Sequence, residues 1–458
     1  IGYELGGDHL RSAADVERYL DRLGQIPAYF DQQIANMRAG LARGFSVPRA
    51  VLDGRDVSIA AVAELADPTR SSFYAPLEHL PDAVGADAAQ ALRGRALSTI
   101  RDGVIPAYRK LLTFFRQEYL PKARTTLAAE AMPDGVRWYR QQIRAYTTLD
   151  LAPAAIHEIG TREVAKLHAD MVDTMRQSGF QGSFAEFLAF LRSDPQFHAR
   201  TPEELLMRSA WVAKRVDGQM ARFFGHLPRA RFTIKPVPAD IAPYYTSGRG
   251  GPDVYLVNTW DLPSRPLYNL PALTLHESYP GHALQLELAA ERHDQPAFRR
   301  HGYISAFGEG WGLYAEYLGN EMGIYETPYQ RFGYLTYQMW RACRLVVDTG
   351  IHHFGWTREQ AIGFMTDNTA LSKLEIANEV DRYISWPGQA LSYELGYLKI
   401  RELRAKAEAA LGADFDLRAF HDTVLALGSV PLPVLEARIE RFIAEGGKPP
   451  AQPCDCAG

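Results

Sequence analysis

Cysteine is scarce in this chain: three in 458 residues, at Cys343, Cys454 and Cys456. So few cannot make the disulfide framework of a small secreted scaffold. Cys343 stands in an apolar stretch and reads as a small core residue. Cys454 and Cys456 lie in the tail GGKPPAQPCDCAG. The pair has the chemistry for a soft metal, but structural zinc sites usually take four ligands, and a frayed, flexible terminus is the simpler reading. An excess of one charge is also missing. Fifty basic and 54 acidic residues give a net charge of −4, so no strong positive field steers the chain to nucleic acid or an anionic membrane. No apolar run approaches the roughly 20 residues that span a bilayer. The chain begins at Ile1, and IGYELGG lacks the basic start and apolar middle of a signal peptide. The expectation is a chain that has lost a leader or a longer N-terminal segment, exported or periplasmic after processing, with the cytoplasm as the alternative.

What is present is an ordinary globular composition, 23% charged and 47% hydrophobic. The length suggests about three domains, yet large helical enzymes pack this many residues around one deep cleft. Apolar residues recur at three- and four-residue spacing over 13–41, 87–124 and 202–224, predicting helices. Asp150 reads as a helix cap before Pro153 in the first turn. Aromatic and β-branched runs on either side of Gly248 to Gly251 predict a small hairpin, and helical patterning resumes at Leu270 and persists to Glu445. The expected fold is mainly α with a small β element. Its parts are a helical 1–231, a metal-site part at 232–446 and the tail at 447–458. Oligomeric state is left open.

The segment HESYPGH at 276–282 places two histidines and a glutamate in seven residues. Zinc takes imidazole nitrogen and carboxylate oxygen. In the common H-E-x-x-H peptidase form, i,i+4 spacing sets both histidines on one helix face beside a glutamate base. Here the spacing is 282 − 276 = 6, which on an unbroken helix turns the rings about 240° apart. The pattern therefore requires a bulge or kink, and Pro280 and Gly281 stand where it would fall. The bland alternative is two satisfied polar residues on a half-buried helix. His157-Glu158 opens like the same motif, but no histidine follows until His168, so it reads as structural. A third ligand is offered by Glu309 in FGEGWGLYAE, 307–316, with Glu316 seven residues on and on the same face. The alternative is that Glu309 pairs with Arg341 or Arg344. Farther on, Arg382, Gln389 and Tyr393 are spaced to share one face of a continuous helix. They are donors suited to an oxyanion or a substrate carboxylate, or simply part of an amphipathic helix.

These pieces, HESYPGH, FGEGWGLYAE, RLVVDTGIHHFGWT at 344–357 and EVDRYISWPGQALSYELG at 379–396, resemble a bacterial family of unknown function, DUF885. With IRAYTTLDLAPAAIHEIG at 143–160, the resemblance covers most of the chain. That family is similar to helical gluzincin peptidases of the thimet oligopeptidase and angiotensin-converting enzyme type. The resemblance implies His276, His282 and Glu309 as ligands of one Zn2+ per chain and Glu277 as general base. It also implies Tyr393 as the donor facing the reacting oxygen, with Arg382-Tyr383 before it, and His352 as a substrate contact. The histidine spacing is longer than in characterised peptidases, and family members carry a longer N-terminal region.

Three functions fit. The first is hydrolysis of short peptides by a metal-activated water with Glu277 as base, Glu316 supporting the metal ligands, and a strand edge around Tyr245 pairing with substrate. The second is a zinc amidohydrolase acting on non-peptide amides. The third is a non-catalytic helical binding protein that keeps a metal site, with His352 or His353 closing the water position.

Overall fold

A computed structural model describes residues 5, 7, 10–239 and 241–449. Cys454 and Cys456, and most of the tail expected at 447–458, lie outside the described residues. The chain divides into two compact units: residues up to 127 with 131–133, and residues 128–130 with everything from 134 on. This division falls well upstream of the 231/232 boundary expected from composition, because the small strands are packed within the second unit and do not mark its edge.

The first unit is helical. Helix α1, Ala13–Ala42, starts at Ser12, whose hydroxyl accepts from the Asp15 amide and so satisfies one of the unpaired N–H groups of the first turn. Its apolar stripe, including Tyr19, Leu23 and Phe30, packs with Leu92, Ile100 and Tyr108. The helix expected over 87–124 is interrupted twice. Helices α2 (Ala86–Thr99) and α3 (Ile105–Phe114) are joined by a π-turn at Ile100–Val104, and a second follows at Phe115–Tyr119. Pro106 and Pro121 come just after these turns. Each lacks an N–H, so the ordinary i→i−4 ladder is broken there, and the wider turn keeps the chain helical.

The second unit holds the functional motifs. Helix α4, Pro153–Gln177, begins at proline as expected, but its cap position is Ala152. Asp150 instead pairs with Arg144 at 2.7 Å, a correction with a simple cause: it lies too far from the first turn to reach its amides. Strands β1 (Thr233–Pro236), β2 (Gly248–Gly250) and β3 (Val254–Val257) form a sheet in the order β1-β3-β2. The expected hairpin is the antiparallel β2–β3 pair, and β1 adds in parallel. Beyond it run α5 (Leu270–Glu277), α6 (His282–Ala290), α7 (Ser305–Glu321), α8 (Pro328–His352), α9 (Lys373–Ser385) and α10 (Ser392–Leu411). Helix α8 is buried without a break from Phe332 to His352 and includes Cys343, a free thiol in the core. His157 on α4 bonds the Thr349 hydroxyl of α8 at 2.8 Å, the structural use expected of it. Among the described residues, no helix is long and apolar enough to cross a membrane.

Glu394 and Asp348 are among the carboxyls buried in this unit away from full compensation. Glu394 is almost wholly buried, with Oε2 unpartnered among the described residues. Burial first, then the charge of Glu163, lifts its carboxyl to about 8. Burial lifts Asp348 to about 7, although the Tyr139 hydroxyl at 2.6 Å and the Gly388 amide pull it down. Both ionise near 4 when unfolded. The folded chain therefore holds more protons across this interval, so their contribution is complete below about pH 4 and is lost as pH rises through 7 to 8. Thermal denaturation should show a melting temperature that declines from pH 5 to pH 9, and Glu394→Gln should flatten the decline. An unchanged slope in the variant would remove Glu394 as its source.

Candidate metal centre

The six-residue spacing of the histidines is resolved by a break in the helix. Helix α5 ends at Glu277 and α6 begins at His282, with residues 278–281 looping between them. Gly281 closes the loop against the end of α5, where a Cβ would fall 2.0 Å from the His276 carbonyl oxygen. Trp311 clamps the loop by donating its indole N–H to the Pro280 carbonyl at 2.8 Å. The two imidazoles then stand nearly perpendicular, centroids 4.7 Å apart.

Helix α7 completes the cluster from one face. Glu309, Gly312 and Glu316 are spaced three and four residues apart, so they line up along the helix. Glu309 Oε2 lies 3.6 Å from His276 Nε2 and 3.4 Å from His282 Nε2. Gly312 leaves the space the His276 ring occupies, since a Cβ there would come within 2.6 Å of it. Glu316, fully buried, accepts from His276 Nδ1 at 2.8 Å and is held in turn by Gln338 at 3.3 Å and Arg341 at 3.4 Å. That bond to Nδ1 leaves Nε2 facing Glu309, the arrangement in which an outer carboxylate orients a ligating histidine.

The donor set fits a metal. Ligand atoms of His276, His282 and Glu309 all lie within 4.8 Å of one another. Two ligands held about 2.0–2.1 Å from one tetrahedral ion are about 3.3–3.4 Å apart. The observed separations of 3.4 and 3.6 Å match that spacing and are long for hydrogen bonds. Two imidazoles and one carboxylate are a catalytic zinc set. Electrostatics tie the three residues to one another. Burial opposes a charge on Glu309, yet the two histidines outweigh it and hold the carboxyl well below its usual range. Burial likewise opposes charging of His276, but Glu309 and then Glu316 raise it to about 10.

Glu277 is buried beside the cluster, and its Oε2 accepts from the Gly250 amide of β2. The approach is close: a Cβ on Gly250 would lie 2.1 Å from the Glu277 carbonyl oxygen and 2.9 Å from His282 Cβ. Strand β2 is an edge of the sheet, and its Gly250 amide is taken up by Glu277 beside the cluster. The alternative pairing of Glu309 with Arg341 or Arg344 does not occur, since Arg341 pairs with Glu316, and Arg344 with Glu379 at 2.7 Å.

Arg382, Gln389 and Tyr393 are brought together, though not by a continuous helix. Helix α9 ends at Ser385 and α10 starts at Ser392, and the turn through Pro387-Gly388 folds the chain back. Arg382 Nη2 donates to Gln389 Oε1 at 2.8 Å and to the Tyr393 hydroxyl at 3.0 Å. Because Tyr393 accepts there, its own proton remains to be donated elsewhere.

Two expected substrate contacts are not on the cluster. His352 is buried with both ring nitrogens on backbone groups, Nδ1 accepting from the Ala129 amide at 3.1 Å and Nε2 donating to the Tyr383 carbonyl at 2.9 Å. It is a strut, because a ring committed at both nitrogens has none left for substrate. His353 faces Glu130 at 2.9 Å. Tyr245 packs on Val237, Ala242 and Leu256 in a small apolar cluster.

Sequence reasoning missed Tyr303. Its hydroxyl donates to Glu309 Oε1 at 2.8 Å, leaving Oε2 to face the histidines. Tyr303 sits in a loop before α7, where no periodicity marks a position. The one signal was Gly308, against which its ring lies.

The chain belongs to the family of bacterial proteins of unknown function (DUF885), whose model matches residues 6–439. It is similar to the crystal structure of a candidate lipoprotein from Colwellia psychrerythraea, 31% identical with a TM-score of 0.89, over 94% of this chain and 76% of that one. A candidate lipoprotein of unknown function from Shewanella oneidensis is 19% identical with a TM-score of 0.61, over 93% of this chain and 78% of that one, a likeness of fold alone. No curated protein matches the chain.

The outer contacts make a quantitative prediction. Glu316→Gln and Tyr303→Phe should each weaken zinc binding about 10- to 100-fold while leaving the ligands in place. Competition with a chromophoric chelator measures this, and wild-type affinity in both variants would show that neither residue orients a ligand.

Proposed function

We propose that this DUF885 protein is a zinc-dependent peptidase acting on short peptides. The observation that carries the reading is the pair of 3.4 and 3.6 Å separations between Glu309 Oε2 and two imidazole Nε2 atoms, with a glutamate adjoining the first histidine. When bound, zinc supplies Lewis acidity, polarising a carbonyl and bringing the pKa of a water to roughly 7. His276, His282 and Glu309 would hold it.

The chain's own residues do the rest. Glu277, fixed by the Gly250 amide, takes the proton of the attacking water and returns it to the leaving amine nitrogen. Tyr393, whose hydroxyl accepts from Arg382, donates its own proton in a hydrogen bond to the carbonyl oxygen as that oxygen gains charge. The edge of β2 aligns the substrate backbone by strand pairing. A closed structural site is disfavoured, because His352 and His353, its available fourth ligands, are tied to Ala129, Tyr383 and Glu130. The resemblance of the motifs to helical gluzincins points the same way. We also place the chain outside the cytoplasm, as the 31%-identical structural relative is named as a candidate lipoprotein. Recovery of the native protein in the cytosolic fraction alone would contradict that placement.

Elemental mass spectrometry should find about one zinc per chain in wild type and none in His282→Ala. Glu277→Gln should retain the metal and lose at least about 100-fold in kcat, the scale of a general base. Absence of zinc from wild type, even after zinc is offered and the protein re-purified, would end the peptidase reading.

A further inference from the structure

The arginine cluster beside the metal ligands carries more positive charge than its own carboxylate balances. Glu379 is shared, lying 2.7 Å from Arg344 and 3.3 Å from Arg382. Two guanidinium groups on one carboxylate leave a positive charge over, and a buried uncompensated charge is costly. Arg344 is sealed, its side chain 2% exposed, with Nη1 unpartnered among the described residues. Arg382 is the member a solute can reach, at 28% exposure. Its Nη2 is fixed by Gln389 and Tyr393, and the half-exposed ring of Trp386 lies 5.9 Å away as a second wall. A guanidinium has five N–H donors in a planar fork, and here two remain uncommitted after the bonds to Gln389, Tyr393 and Glu379. Both Nη2 hydrogens are taken, so the free donors on Nε and Nη1 lie on different edges, and each can take one oxygen of a carboxylate.

Its distance from the metal ligands can be gauged along α7. The Gln389 amide group donates to the Ser305 hydroxyl at 3.4 Å, and Ser305 in turn bonds Ser392 at 2.7 Å. Ser305 opens α7, and Glu309 stands four residues on, about 6 Å along the axis at about 1.5 Å per residue. An extended peptide advances about 3.3 Å per residue. Adding the Arg382–Gln389 and Gln389–Ser305 links of 2.8 and 3.4 Å, a carboxylate on Arg382 lies within a few residues of the ligand cluster.

We propose that Arg382, held by Gln389, Tyr393 and Glu379, anchors the terminal carboxylate of a peptide, so that the enzyme cuts close to the C-terminus. This rests on the peptidase reading above and adds the cleavage mode. The reaction balances with one water: the C–N bond breaks, the acyl carbon takes the hydroxyl, and the amine nitrogen of the released C-terminal fragment takes the proton.

The test offers zinc-loaded full chain a library of N-acetylated hexapeptides of mixed sequence, prepared both as free acids and as C-terminal amides, with products read by mass spectrometry. The expected first products from the acids are short fragments from the C-terminus. The amides should be cleaved with kcat/KM about 10- to 100-fold lower, the scale of one charged hydrogen-bonding contact. Arg382→Gln should shrink that acid-to-amide ratio, chiefly through KM for the acids. Should the variant fail to fold, the wild-type ratio and product lengths still decide. Equal cleavage of acids and amides, or internal cuts appearing first, overturns the anchor and leaves a peptidase. No cleavage of either set by protein carrying zinc overturns both.

Discussion

A carboxylate can be buried as an anion only if something positive is brought to it, and the core of the second unit is arranged around that requirement. Glu309 and Glu316 project from the same face of α7 into a region where an unpaired buried charge is costly. Two imidazoles meet the first, and one imidazole with Arg341 meets the second. The helix break at 278–281, the glycine at 312 and the Trp311 clamp all serve to bring those rings within reach. Once they are there, the outer oxygen of Glu309 is claimed by Tyr303 and the inner one faces both Nε2 atoms.

The two units handle charge differently. Ion pairs in the first unit, such as Arg38–Glu118 and Arg95–Glu17, are between exposed side chains, where each is worth little. In the second unit, Arg341–Glu316, Arg344–Glu379 and Arg265–Glu375 are all buried. Breaking such a pair by removing one partner is strongly destabilising, while a well-packed apolar replacement often is not. Among the described residues, unpartnered buried guanidinium atoms occur in this unit on Arg300, Arg341, Arg344 and Arg438.

Much of the fold could be read from residue pattern. The helix at 13–42, the proline start at 153 and the antiparallel pair around Gly248 follow from local chemistry: caps, a fixed φ, and glycine between β-branched runs. The π-turns before Pro106 and Pro121 could not be read as such, because a missing N–H predicts a break but not how the neighbouring carbonyls recover. Asp150 has the right type for a cap but stands too far ahead of the first turn. His352 and Tyr245 show the limit for single polar residues. Nothing local distinguishes a histidine that binds a ligand from one whose nitrogens both meet distant backbone groups.

By itself the sequence determined the donor types and their order: His276, Glu277, His282, then Glu309 and Glu316 on one helical face. It also marked where the helix must break, since proline and glycine at 280–281 can neither continue the ladder nor fill the space of a side chain. Only the tertiary structure decided that the break turns both rings toward Glu309. Only it brought β2 against Glu277, Tyr303 onto the carboxylate, and Arg382 to Tyr393 across a folded-back turn. The physical reason is one of range. Caps, periodicity and breakers act over about one helical turn, whereas these contacts join elements tens of residues apart in sequence, and long-range packing alone selects which buried charge meets which partner.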